Sequence, residues 1–304
     1  MSALATAVGD TGFFRGRGLV LLAGALMSMG GPLIRLLDSA TEWQFLTYRS
    51  AALVSVLAVF IAARYPGRFL STLRAAGWTA VLAGCCLSCA FVGFVFSITH
   101  ATVANTLFIL SAAPFAAALL GRLLLGEVVG RATWLAMLGA FAGVAMMIGE
   151  GVAERDLFGD LSALGAALGF AGFTVALRRR REVDMIPAVL FAGLLSGALS
   201  ALVAMATGIG LAISWPDLAL SFTYGGIGIA GGLLLFTLGS RHVPAAELTL
   251  LSLTEVVLGP IWVWLAFAEE PSRITLLGGV ILLASITGLT IHGVRRMKPP
   301  PLVT

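Results

Sequence analysis

Lysine is almost missing from this chain, and charge of either sign is scarce. Only 11% of the 304 residues are charged, while 59% are hydrophobic and the mean hydropathy is +1.01. A soluble domain carries about a quarter charged residues, so this composition excludes a water-soluble body of that size. Cysteine is also sparse: Cys85, Cys86 and Cys89 form one cluster, CCLSC, within an apolar run. That gives no disulfide framework, and a metal site would need further ligands and partners. The cluster reads as small residues at a helix interface. No P-loop pattern occurs, so neither ATP coupling within this chain nor any other cofactor is expected.

What is present is a succession of apolar runs of about 20 residues, the length that crosses a bilayer core. The runs predict an all-α membrane protein of ten transmembrane helices, over 18–37, 43–62, 76–97, 101–120, 132–149, 158–178, 186–206, 217–238, 244–266 and 274–293. They leave no room for a sizeable soluble domain. Arg15 and Arg17 precede the first run much as charges precede the apolar part of a signal peptide. The run continues to Leu37 without a convincing cleavage site, so it is expected to be the first span.

The net charge of +4 does not point to nucleic acid, because the basic residues fall in short loops between spans. Of 19 basic residues 18 are arginine and only Lys298 is lysine, as in the product of a GC-rich genome. With ten spans, 15 of them fall on the side of the two termini, among them the run Arg178 to Arg181. Three (Arg35, Arg155 and Arg273) fall on the other side, and Arg49 lies inside the second span. The positive-inside rule then places both termini in the cytoplasm. The expectation is a multi-pass protein of a bacterial inner membrane, whose partners are the bilayer, a small-molecule substrate and protons.

The halves repeat. An offset of 142 superposes Gly84 on Gly226, Phe94 on Phe236, His100 on His242 and Ala104 on Ala246; an offset of 141 superposes Gly18 on Gly159 and Gly24 on Gly165. A unit of five helices is odd, so the second copy is expected upside down relative to the first. The expected organisation is a tail over 1–17, a first unit over 18–149, a linker over 150–157, a second unit over 158–293 and a tail over 294–304. Inverted units can exchange conformations about a central site, which is the arrangement a transporter uses.

Polar residues inside the spans are the candidates for that site. Glu247, Leu251, Thr254 and Glu255 stand at i, i+4, i+7 and i+8, on one face of a continuous helix, with the carboxylates about 12 Å apart along its axis. Glu255 is expected nearer the midplane and Glu247 nearer the cytoplasmic end. A carboxylate kept from water holds its proton more readily, as a coupling site requires; hydrogen bonding between helices is the alternative role. The offset pairs Glu247 with Asn105. Arg49, beside Tyr48, needs a partner: an ion pair with Glu255 or Glu247, or an anionic substrate group. His100 and His242 are candidate proton relays or gates, although histidines at helix junctions more often cap carbonyls.

Trp43, Trp78, Trp134 and Trp215 sit at expected span ends, as aromatic belts do. Trp262 and Trp264 are two positions apart, so at most one faces a cavity. The run GGIGIAGG (Gly225 to Gly232) follows no strand and is not a phosphate loop; it suits close, sliding helix contact.

Two stretches carry a resemblance. SAAPFAAALLGRLLLGE (Ser111 to Glu127) and TEVVLGPIWVWLAFAEEPSRITLLGGVILLA (Thr254 to Ala284) resemble the matching ends of the two units of EamA-type transporters in the drug/metabolite transporter superfamily. The shared features are Pro114-Phe115, the helix-closing Glu127 and Glu270, and Gly278-Gly279. The resemblance implies a proton-linked or facilitative carrier, often an exporter, of small organic molecules such as amino acids. It also implies a functional position at Glu255. Many relatives have Glu-Pro where this chain has Glu255-Val256, and Pro260 is expected to move the helix break about one turn along. The competing function is an intramembrane enzyme for lipid-linked substrates, for which the acidic loop Glu150 to Asp160 is the one candidate site.

Overall fold

The computed structural model describes residues 2–100, 103–148, 157–267 and 272–295, and every regular element among them is helical. In order these are α1 (Ser2–Met27), α2 (Gly30–Arg35), α3 (Glu42–Arg64), α4 (Phe69–His100), α5 (Val103–Leu110), α6 (Ala113–Leu125), α7 (Arg131–Ile148), α8 (Leu157–Arg179), α9 (Ile186–Ala206) and α10 (Trp215–Thr223). A π-helical segment (Tyr224–Gly231) follows, then α11 (Gly232–Gly239), α12 (Ala245–Ser252), α13 (Thr254–Phe267) and α14 (Arg273–Arg295). Eight stretches among the described residues are long and apolar enough to cross a membrane, and Arg131–Met147 is a shorter apolar helix.

Against ten expected spans, the first is the one that differs most. Its helix begins at Ser2, well inside the expected tail, and breaks at Ser28–Met29 before α2. Arg17, assigned to that tail, is only 3% exposed within α1. Four further irregularities interrupt spans: a kink at Gly77 (φ 65°) near the start of α4, a turn at Ser111–Ala112 between α5 and α6, the π segment, and a turn at Leu253 between α12 and α13. Ser111 and Leu253 are 142 positions apart, the offset of the internal repeat. The backbone thus breaks at equivalent points of the two units.

Local chemistry explains several boundaries. Thr41 and Gln44 form a capping box that starts α3, with the Thr41 backbone N–H donating to Gln44 Oε1 at 3.0 Å. Ser214 caps α10, and Gly126, with φ 68°, ends α6 in the left-handed region. In hydrocarbon every backbone polar group needs a partner. At the breaks, hydroxyls supply it: Ser28 donates to the Ala25 carbonyl (2.7 Å), Ser111 to Phe108 (2.6 Å), Ser252 to Thr249 (2.8 Å) and Thr254 to Leu251 (2.7 Å).

The helices pack mainly across the two units, and the pairings exchange as a two-fold relation requires. The third span, α4, lies on α8, as the eighth (through α11) lies on α1; α3 pairs with α9 and α7 with α14. Small residues set the crossings. A Cβ on Gly278 would collide with the Gly143 carbonyl, so α7 and α14 meet backbone to backbone. Cys86 lies against Gly169 and Gly172, while Cys85 and Cys89 are exposed. Of the four tryptophans at expected span ends, Trp78 and Trp215 are about 80% exposed (78% and 82%) and Trp134 44%, whereas Trp43 is 9% exposed and packs edge-on against Phe96.

Candidate functional site

Three of the irregular segments converge on one region. The Tyr224 hydroxyl, at the start of the π segment, donates to the Met27 carbonyl at 2.9 Å, where α1 stops. Trp262 of α13 donates Nε1–H to Ser28 Oγ at 2.9 Å from another element. The break in α1 is therefore held by two aromatic side chains. Gly24, one turn earlier, faces the α12–α13 turn, where its Cβ would meet Thr254, the Ser252 carbonyl and the Glu255 amide at 3.4–3.6 Å. Gly225 packs onto the Arg49 carbonyl so closely that any Cβ would collide with it. π segments and discontinuous helices recur at functional sites, and here they bring Arg49, Tyr224 and Glu255 together.

Glu255 is half-buried and its carboxylate makes no hydrogen bond or ion pair. Arg49 is also half-buried, yet its Nε is sealed from solvent and has no hydrogen-bond partner. Its guanidinium lies over the Phe91 ring, 4.5 Å from the centroid, a cation–π contact. Tyr224 lies within electrostatic reach of both Arg49 and Glu255 and stacks on Phe45 at 6.0 Å between ring centroids. Of the two partners open to Arg49, a glutamate of the ninth span or an anionic substrate group, the structure shows no ion pair with either glutamate.

Glu247 is the other half of that correction. It accepts from Arg17 at 2.6 Å, while Thr133 lies at 3.4 Å, and Arg17 also donates to the carbonyl of Thr290 at 3.1 Å. The turn at Leu253 separates α12 from α13, so Glu247 and Glu255 do not share a face of one continuous helix. Pro260 lies inside α13, and the break falls before Glu255 rather than a turn beyond it. Hydroxyls of Ser252 and Thr254 make the turn, so no proline is needed there.

Other expected residues are engaged elsewhere or within their own turn. Tyr48 donates its hydroxyl to the Leu211 carbonyl in a loop. Thr254 is occupied by the Leu251 carbonyl within its own turn. His100 is exposed, with Nδ1 3.0 Å from the Phe96 carbonyl and its ring against Phe158. His242 is exposed at the opposite end, beside Gly16. The side chain of Asn105, Glu270 and the loop over 150–156 lie outside the described residues. Among the described residues, no group of His, Cys, Asp and Glu could hold a metal.

Sequence reasoning missed the contacts that tie the two ends. At the basic end, Arg178 donates to Glu127 at 2.9 Å and to the carbonyls of Ser240 and Arg241 at 3.1 Å. The second Glu127 oxygen accepts the Ala245 amide at 3.0 Å, at the start of α12. A small cleft there is lined by both glutamates, Thr133 and Pro244. Nearby, Tyr65 donates to Asp184 at 2.8 Å, which pushes the phenol above its ordinary range. At the other end Asp217 accepts from Asp38 N, Ser39 N, Ser39 Oγ and Ala40 N at 2.9–3.1 Å. It thereby ties the loop before α3 to the start of α10.

Comparison with known proteins fits this architecture. The profile of the EamA-like transporter family matches twice, over residues 14–149 and 157–291. The pseudopaline exporter CntI of Pseudomonas aeruginosa, in each of two strains, is 24% identical over 208 residues, covering 66% of this chain and 70% of the relative. A solved crystal structure superposes with a TM-score of 0.78 at 20% identity, over 92% of this chain and 99% of that one, which shows the likeness of fold alone. These matches point to a transporter rather than an enzyme. A multi-pass helical chain built from two copies of this unit belongs to the EamA-like transporter family, in keeping with the drug/metabolite transporter superfamily.

Proposed function

We propose that the protein is a secondary, proton-coupled exporter of small organic metabolites such as amino acids. It has ten spans in two inverted five-helix units, over 18–149 and 158–293, with both termini cytoplasmic in a bacterial inner membrane. The observation that carries this reading is the unpaired Glu255 carboxylate, set beside broken helices within a span. A structural carboxylate in a membrane is paired, as Glu247 is; an unpaired one is available to a proton or a cationic group. Alternating access supplies the rest: rocking of one unit against the other opens the Glu255 region to one side and then the other. The CntI name supports export as the direction of transport.

The test is efflux from proteoliposomes loaded with labelled amino acids, with and without an imposed pH gradient. Wild-type protein is expected to release cargo faster when the gradient favours proton uptake from the receiving side. Glu255→Gln is expected to remove that acceleration. A variant with wild-type rate and pH dependence would refute the role of Glu255.

A further inference from the structure

We propose that Arg49 is the specificity-determining residue for the cargo, holding the carboxylate of a small amphoteric acid whose amino group lies toward Glu255. The inference rests on the exporter reading and names the side chain that reads the acid group of the cargo in that same region.

The argument starts from what Arg49 lacks. An arginine within an apolar span is costly unless something compensates it. Arg17 and Arg178, the other deeply placed arginines, each meet a carboxylate at 2.6–2.9 Å. Arg49 meets no carboxylate, and its buried Nε has no acceptor. The Phe91 ring covers one face of the guanidinium at 4.5 Å, which leaves the in-plane N–H groups to be used. That edge is the part that takes a carboxylate with two parallel hydrogen bonds.

The neighbours narrow the ligand. The Tyr224 hydroxyl is already donated to Met27, so it adds no donor for a more highly charged group. One guanidinium balances one negative charge, which suits a carboxylate better than a phosphate dianion. Glu255 is the unpaired group of opposite sign in the same region, and Tyr224 feels the field of both. Two unpaired charges of opposite sign, held apart, complement a ligand that carries both. Phe45, Phe91 and Trp262 make the surroundings suited to an aromatic or apolar body.

The experiment is a thermal-stability titration of the purified full chain in detergent. The probes are phenylalanine, 3-phenylpropionate, phenethylamine and phenyl phosphate. Binding to the folded state raises the midpoint by mass action. Phenylalanine and 3-phenylpropionate are expected to stabilise the wild type more than phenethylamine or phenyl phosphate do. Arg49→Gln is expected to weaken both acids by roughly 10- to 100-fold, the range for a charge-assisted bond, while leaving phenethylamine unchanged. Arg49→Lys, which keeps the charge but not the fork, serves where the glutamine variant does not fold, and is expected to weaken the acids about ten-fold.

The proposal is overturned if no acid stabilises the wild type, if phenethylamine or phenyl phosphate matches the acids, or if the acids bind Arg49→Lys as tightly as wild type. A Glu255-dependent shift with phenethylamine alone sinks the Arg49 assignment and spares the exporter. Absence of efflux for every compound that binds sinks the exporter.

Discussion

Tyr224 donates its hydroxyl to the carbonyl of Met27 across 197 positions of sequence, at the point where the first span stops being helical. Met27 O lies at the end of the regular helix, and the phenol reaches it from the π segment. Trp262 completes the hold through Ser28. A break that would otherwise leave polar backbone in hydrocarbon becomes a fixed joint.

Tyr224→Phe should loosen that joint more than it destabilises the protein. A neutral hydrogen bond within a bilayer averages about 0.6 kcal/mol, with a ceiling near 1.7. The unfolding midpoint should therefore fall only slightly. Amide hydrogen exchange at Ser28 to Gly30 should accelerate, and Trp262→Phe should add to it. Unchanged exchange in the double variant would show that the joint is held otherwise.

The Arg17–Glu247 pair should behave in the opposite way. Arg17 is 3% exposed and Glu247 12%, so removing one partner strands a buried charge. Arg17→Ala or Glu247→Ala alone should cost about 3–5 kcal/mol. The double variant should cost less than the sum of the two, by a coupling of about 0.5–3 kcal/mol. Denaturant unfolding of the four proteins in detergent measures the cycle, and additive losses would contradict the pairing.

How much of this was legible beforehand depends on the kind of interaction. The spans show in sequence because burial in lipid imposes a run length, and the family because its motifs sit at the ends of two such runs. The repeat offset was correct enough to relate the turns at Ser111 and Leu253. The turns themselves were missed, because proline was taken as the signal and Pro260 sits inside α13. The usable signal was hydroxylic: Ser28, Ser111, Ser252 and Thr254 each take a carbonyl three residues back. The partners of Arg17 and Arg178 leave no periodic trace, since any distant carboxylate at the right depth would serve. The place of Glu255 within a span was legible, but its separation from Arg49 was not.

Two adjacent glycines give a sharper mutational contrast. A Cβ at Gly278 collides with the Gly143 carbonyl, whereas at Gly279 it finds Val257 at an ordinary 3.5 Å. Gly278→Ala should cost about 1–3 kcal/mol as the helices are forced apart, and Gly279→Ala should be nearly neutral. Thermal midpoints in detergent decide this, and equal effects would refute the α7–α14 contact.

Asp217 should prove structural rather than functional. Its carboxylate gathers four donors from residues 38–40, and bonds to a charged group are worth about 1.5–3 kcal/mol each before non-additivity. Asp217→Ala should lower stability by at least about 2 kcal/mol and expose the loop before α3 to protease. Asp217→Asn, which keeps one acceptor, should fall between. Wild-type protease resistance in the alanine variant would count against the tie.

The break at Ser28–Met29 has no match in the second unit, where α8 runs unbroken from Leu157 to Arg179. The π segment likewise falls at 224–231, whereas α4 is regular over the corresponding 82–89. A carrier whose halves trade places passes between mirror-related end states only if the halves are identical. These halves are not identical, so a carrier of that kind built on them would have two end states of different free energy, and its empty form would favour one of them. Under the exporter reading, the size of that gap, written in two uneven helices, would set the side on which the empty molecule rests.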